Sequence, residues 1–129
     1  MNDRPHAAEL LKAARGAVAA EMLPALPEAL RYTGLMIANA LAIAEREIAA
    51  GDAPVRAEYL RLCALLAETP EPLAGDALRE AVGQYNQRLA HDIRTGRLDG
   101  RARDALLQHL RQTTVEKLAV SNPKALQRR

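Results

Sequence analysis

Three histidines, one cysteine, an amide inside an apolar run and one cluster of arginines are the side chains here whose types could do chemistry. Asn39 stands out because it interrupts RYTGLMIANALAIAEREIAAG, residues 31–51, the most apolar stretch of the chain. Read as a helix, that stretch sets Asn39 in one line with Tyr32, Leu35, Ile43 and Arg46, four and seven residues to either side. An amide buried without a partner costs on the order of 2 kcal/mol or more. The first reading is therefore structural: Asn39 is buried and hydrogen-bonded, tying its helix to a neighbour or fixing the register of packing. The second is a site: Tyr32, Asn39 and Arg46 line a mostly apolar cleft and orient a small-molecule ligand.

A second constellation is RTGRLDGRAR, residues 94–103, which places arginines around a turn between two helices. Arg97, Arg101 and Arg103 are candidates for holding an anion, since Arg101 and Arg103 sit beside a helix N-terminus whose amides point outward. Asp99 competes with that role as the natural cap for the same amides. Arg94 and Arg97 also suit the C-terminal dipole of the preceding helix without any ligand.

The histidines, His6, His91 and His109, fall on three different helices, and none has a glutamate three residues before it. The Glu-x-x-His pairs of carboxylate-bridged di-iron bundles are thus missing. So are His-Glu-x-x-His, a glycine-rich phosphate loop and a Gly-x-Ser-x-Gly elbow. No catalytic residue, metal ligand or cofactor is assigned. His6 with Glu9 and His91 with Asp92 read as solvated surface pairs. A lone Cys63 excludes an intramolecular disulfide and reads as a small core residue.

The elements that must position these groups are all helical. Alanine, leucine, glutamate and arginine dominate, Phe and Trp are absent, and no run alternates β-branched with polar residues. Helix one is expected from Asp3, as cap, to Leu23, with Pro24 and Pro27 making an elbow. Helix two runs from about Pro27 to Gly51, roughly 36 Å at 1.5 Å per residue. Its main stripe is Leu30, Gly34, Ile37, Leu41, Ala44 and Ile48, while Leu35, Met36 and Ile43 lie opposite. Being apolar all round, it is expected to be surrounded by the others. Helix three (Pro54–Glu68, capped by Asp52) carries Val55, Tyr59, Leu62, Cys63 and Leu66 inward. Helix four (Asp76–Gly96) carries Leu78, Val82, Tyr85, Leu89 and Ile93. Helix five starts near Asp99, carries Leu106, Leu107, Leu110, Thr114 and Leu118, and ends at Asn122–Pro123. The expected architecture is an all-α, up-and-down bundle of about five helices with helix two (about 27–50) central. Residues 1–123 read as one domain, followed by a short basic tail, 124–129.

Composition then narrows the class. With 129 residues, 49% of them hydrophobic and 26% charged, the chain can close a core without staples. A net charge of +2 is no electrostatic footprint for nucleic acid, and stacking platforms need aromatics this chain lacks. The longest uncharged run, Tyr32–Ala44, is well short of the ~18 apolar residues a membrane span needs. The charged N-terminus has no signal-peptide core, so a soluble cytoplasmic protein is expected. Leu60 and Leu65, off the main stripe of helix three, leave apolar area for a two-fold partner, which predicts a homo-oligomer such as a dimer.

The combination of RPHAAELLKAA at the start, LPAL-x-x-x-LRY followed by ANALAIAERE, and KLAVSNP near the end resembles a small uncharacterised bacterial family. The likeness covers most of the chain and is weakest through residues 52–75. Genes of that family often lie beside acyl-CoA dehydrogenases and kinases related to aminoglycoside phosphotransferases. The resemblance therefore implies an accessory role near acyl-CoA metabolism, with a protein partner encoded alongside. Asn39 lies within one of the segments that carry it.

Overall fold

The computed structural model describes residues 3–127, and among them every regular element is helical. The five α-helices are α1 (Ala7–Ala17), α2 (Glu28–Ala50), α3 (Ala53–Leu66), α4 (Gly75–Arg94) and α5 (Arg103–Ser121). The all-α class and the five helices are those the periodicity predicts. By their contacts the residues form two compact units: Met1–Gly51 with Val120–Asn122, and Asp52–Ala119 with Pro123–Arg129.

In the first unit, α1 starts later than the sequence suggests. His6, not Asp3, is the N-cap, and Glu9 Oε2 accepts the His6 N–H at 3.0 Å. Glu9, three residues on, thus satisfies a donor at the helix entrance, and Pro5 stays outside the first turn. Beyond Ala17 the chain stays helical but changes pitch, through a π-type turn at Val18–Met22 and a 3-10 turn at Leu23–Ala25. Pro24 explains the change. It has no N–H for the carbonyl of Ala20, and its ring would collide with that carbonyl in a regular α-turn. The Leu23 N–H instead reaches back to Val18 O.

The elbow that follows returns the chain along α1, and Arg15 Nε donates to Glu45 Oε2 at 2.8 Å across the pair. Leu23 and Leu26 rest on Gly34, where an added Cβ would stand 2.6 Å from a methyl of each leucine. Gly34 is the single buried residue among those described in this unit. The expectation that α2 is enclosed on all sides is therefore corrected. Leu30, Tyr32, Leu35, Met36, Ile37 and Ile48 are all exposed. Periodicity reports which faces of a helix are apolar, and it carries no information on whether a second helix arrives to cover them. α2 ends as predicted at Gly51, whose φ of +60° suits a residue without Cβ.

The second unit closes a real core. Tyr59, Leu62 and Cys63 of α3 meet Leu78, Val82 and Leu89 of α4, with Leu98 and Leu106 completing the cluster. Tyr59 and Tyr85 stack with ring centroids 5.8 Å apart, and Arg88 lies 5.4 Å from the Tyr85 centroid on its way to Glu68. The proline-rich loop is pinned from inside, since the Glu71 N–H donates to the Tyr59 hydroxyl oxygen at 3.0 Å. Asp52 does not cap its own helix α3. Its Oδ2 accepts the Gly75 N–H at 3.1 Å and its Oδ1 pairs with Arg79 at 2.9 Å, so it serves the N-terminus of α4 instead. The Gly75 bond first and Arg79 second hold its carboxyl below the usual carboxylate range.

α5 differs most from expectation. Asp99 makes no capping bond with its side chain, and a 3-10 turn at Gly100–Ala102 leads into the helix at Arg103. The residues α5 buries are Leu106 and His109, whereas Leu107 and Leu110 are exposed. Past it, Pro123–Leu126 forms a 3-10 turn. Of the expected basic tail, Arg128 and Arg129 lie outside the described residues.

Candidate functional site

Tyr32, Asn39 and Arg46 lie on the side of α2 away from the elbow. Asn39 is five residues from Gly34, about 140° round the helix at 100° per residue. Asn39 is exposed, so the expectation of a buried, internally bonded amide is overturned. Tyr32 is 74% exposed. Arg46 is half-buried and already engaged within the unit, its Nε donating to the Val120 carbonyl at 2.6 Å. What this side offers is surface: Tyr32, Leu35 and Met36 around an amide, with no charge from Tyr32 to Ala44.

Of the three arginines proposed for an anion, Arg97 faces Asp92 at 3.6 Å and lines a groove of about 520 Å³ with Gln84, Gln87, Arg88 and His91. Arg101 and Arg103 are exposed and are not part of that groove.

The polar groups that the structure does bring together lie between α3, α4 and α5, and the sequence reading missed them. Arg61 is the hub. Its Nη1 and Nη2 donate to the two carboxylate oxygens of Glu116 at 3.0 and 2.7 Å, a bidentate pair. Nη2 also donates to Thr113 Oγ1 at 3.1 Å, and Nε donates to His109 Nδ1 at 3.2 Å. One turn earlier on α3, the buried Glu58 accepts from Asn86 Nδ2 at 3.1 Å, with Lys117 Nζ at 3.9 Å. Among the described residues no buried side-chain nitrogen or oxygen is left without a partner. A network satisfied to that degree rigidifies the helices it joins.

The electrostatics follow the geometry. Arg61 holds the Glu116 carboxyl below its ordinary value. Burial, then the Arg61 charge, pushes the His109 imidazole down, against the opposite pull of Glu58 and Glu116. His109 is 4% exposed, so it is a neutral core imidazole at neutral pH.

One signal could have found this cluster. Ala102, Leu106, His109, Thr113 and Glu116 recur at intervals of four and three, the spacing of one helical face. A search for apolar residues passes over that face because three of its five members are polar. The partners Glu58 and Arg61 then share a face of α3 at a spacing of three. The pairing between the two helices has no counterpart in sequence.

Among the described residues there is no group of three or more histidine, cysteine, aspartate or glutamate side chains placed to hold a metal ion. A family model described as a domain of unknown function, DUF6285, matches residues 24–125. No curated protein and no solved structure matches the chain.

Proposed function

The chain belongs to the DUF6285 family of unknown function, and from that premise we propose that it is a non-catalytic helical accessory protein whose exposed α2 surface docks a protein partner. The observation that carries this reading is the first unit itself. Among its described residues it buries one glycine and exposes Leu30, Tyr32, Leu35, Met36, Ile37 and Ile48. An apolar surface of that extent on one helix is the mark of an interface. Its lack of charge from Tyr32 to Ala44 suits an equally uncharged partner face.

The polar network supports the non-catalytic half of the reading. The His109 Nδ1 is occupied by a donor that cannot accept, and Glu116 is neutralised by both Nη groups of Arg61. Neither is free to work as a general base. The resemblance noted above singles out two partner classes in a bacterial cytoplasm, an acyl-CoA dehydrogenase or an aminoglycoside-phosphotransferase-like kinase. Self-association belongs to the same proposal, since Leu60 of α3 is 48% exposed. No helix among the described residues is long and apolar enough to cross a membrane.

The test uses the purified chain with an acyl-CoA dehydrogenase and an aminoglycoside-phosphotransferase-like kinase from its native host. Saturable binding to one of them is expected, weakened at least about tenfold by the double substitution Leu35→Glu, Met36→Glu with helical circular dichroism unchanged. Absence of binding to both, or equal binding by the double variant, overturns the proposal. Sedimentation as a clean 14.0 kDa monomer at high concentration overturns the self-association.

A further inference from the structure

Within the second unit, a groove of about 340 Å³ runs beside His109, with Ala64 and Leu65 of α3 on one side and Ala105, Gln108 and Gln112 of α5 on the other. The state of the imidazole is dictated by its neighbour. Nδ1 accepts the Arg61 Nε–H, and an arginine has nothing with which to accept in return, so the proton of the neutral ring sits on Nε2. Among the described residues no hydrogen bond to Nε2 is formed, and since no wholly buried side-chain nitrogen there lacks a partner, Nε2 is not sealed off from solvent. It is a hydrogen-bond donor held in place by Arg61, on a ring that lines the groove.

The rest of the groove limits what that donor can receive. Arg61 contributes to the wall, but Glu116 takes both its Nη groups, so the wall carries no uncompensated charge. A carboxylate or phosphate ligand would meet the Glu116 charge beside the arginine it sought. A cation would find no free carboxylate. What remains is one N–H donor, the side-chain amide of Gln108, the side-chain carbonyl of Gln112 (whose Nε2 already donates to Glu116 Oε1 at 3.2 Å), and the methyl groups of Ala64, Leu65 and Ala105.

We propose that this groove binds a small neutral amide, whose carbonyl accepts from His109 Nε2–H. Its N–H is received by the side-chain carbonyl of Gln108 or Gln112, and its alkyl portion lies on Leu65 and Ala64. The volume is at the small end of ligand pockets, which suits a compact molecule or the amide-bearing end of a longer one. The reading is independent of the α2 docking surface, which lies in the other unit.

The test is a titration of the full chain with N-butylacetamide, followed by nitrogen-edited NMR of the imidazole and the glutamine side-chain amides, with n-butylammonium and butyrate as charged comparators. The ring should show the Nε2–H tautomer at neutral pH. The amide should shift Nε2 and at least one of the two glutamine amides saturably, with a dissociation constant of millimolar order, and the charged probes should bind at least about tenfold more weakly. Ala105→Met, at an exposed position, should fill the groove and abolish the shifts while leaving the ring tautomer intact. Gln108→Ala, also exposed, gives a second and smaller perturbation that weakens binding. An Nδ1–H tautomer, a titration that leaves Nε2 unmoved, equal binding of a charged probe, or full binding by Ala105→Met each overturns the proposal.

Discussion

The first unit holds the longest helix and the longest uncharged run of the chain, and among its described residues only Gly34 is buried. The second unit is more interrupted by charge, yet eight side chains close on one another there and carry Glu58 and His109 inside with them. The difference is one of helix number. Two helices in contact share a single seam, so the far side of each stays wet however apolar it is. A third helix turns seams into an enclosed volume, and within it polar groups can meet partners from more than one direction. Apolar content on a helix is thus a demand for cover, which α2 makes of another surface and α3 satisfies at home.

The largest expected effect tests that contrast directly. Leu62→Ala removes a fully buried side chain and should lower stability by about 3 kcal/mol in urea unfolding. Leu35→Ala, at a residue 57% exposed, should change it by no more than about 0.5 kcal/mol. Equal costs would erase the distinction between the units.

Next comes the hub. Arg61→Leu leaves Glu116, Thr113 and His109 without their shared donor, and the pair's partial exposure keeps the expected cost to about 2 kcal/mol. Acid should find the same region. The folded-state value of His109 lies below its ordinary one, so its contribution is complete above pH ~6.5 and is lost progressively as the pH falls from there through the lower folded-state value. Glu116, also lowered, contributes fully above the ordinary carboxylate value of ~4.3 and loses its share only at more acid pH. The unfolding midpoint should therefore begin to fall just below neutrality in the parent, and hold over that range in His109→Gln. A parent protein whose midpoint is flat there would show that the imidazole is not held neutral by its surroundings.

Smaller effects separate two glycines inside helices. Gly34→Ala drives a methyl into Leu23 and Leu26 and should cost about 1 kcal/mol net, the leucine ends yielding in part. Gly83→Ala meets nothing within 4 Å and should stabilise α4 by up to about 1 kcal/mol. Matching signs in thermal melts would mean that the elbow does not rest on α2 as described. The smallest change is expected at Asn39. With the amide exposed, Asn39→Leu should alter stability by less than about 0.5 kcal/mol. A large loss there would restore the buried amide that the sequence suggested.

Much was legible beforehand. The helix termini at Gly51, the elbow prolines, the inward face of α3 with Cys63 and the leading residues of α4 all follow from local rules, and the structure keeps them. Asp52 shows where such rules stop. It stands in the cap position of α3, yet its carboxylate is taken by Gly75 and Arg79, and nothing near residue 52 announces a helix start that far along the chain. Asp99 fails as a cap for a related reason, since a 3-10 turn intervenes before α5 and its side chain makes no capping bond there.

The functional candidates divide in the same way. Tyr32, Asn39 and Arg46 were singled out because they share a face, and they do share it. That the face is uncovered at Tyr32 and Asn39, and that Arg46 is spent on Val120, depends on which elements pack against α2. His109 has no glutamate three residues before it, so no metal-site spacing marks it in the sequence. Its partners are Arg61 on another helix and, through Arg61, Glu116 two turns further along α5.

By itself the sequence determined what is local: helical propensity, period, the breaks at proline and glycine, and which side of each helix is apolar. These depend on neighbours within about four residues, where backbone bonds and side-chain spacing act. Tertiary structure alone decided which apolar faces are enclosed and which charges meet. Both depend on residues far apart in the chain arriving at the same place. Burial then converts an ordinary histidine, arginine and glutamate into a fixed donor beside a neutral groove.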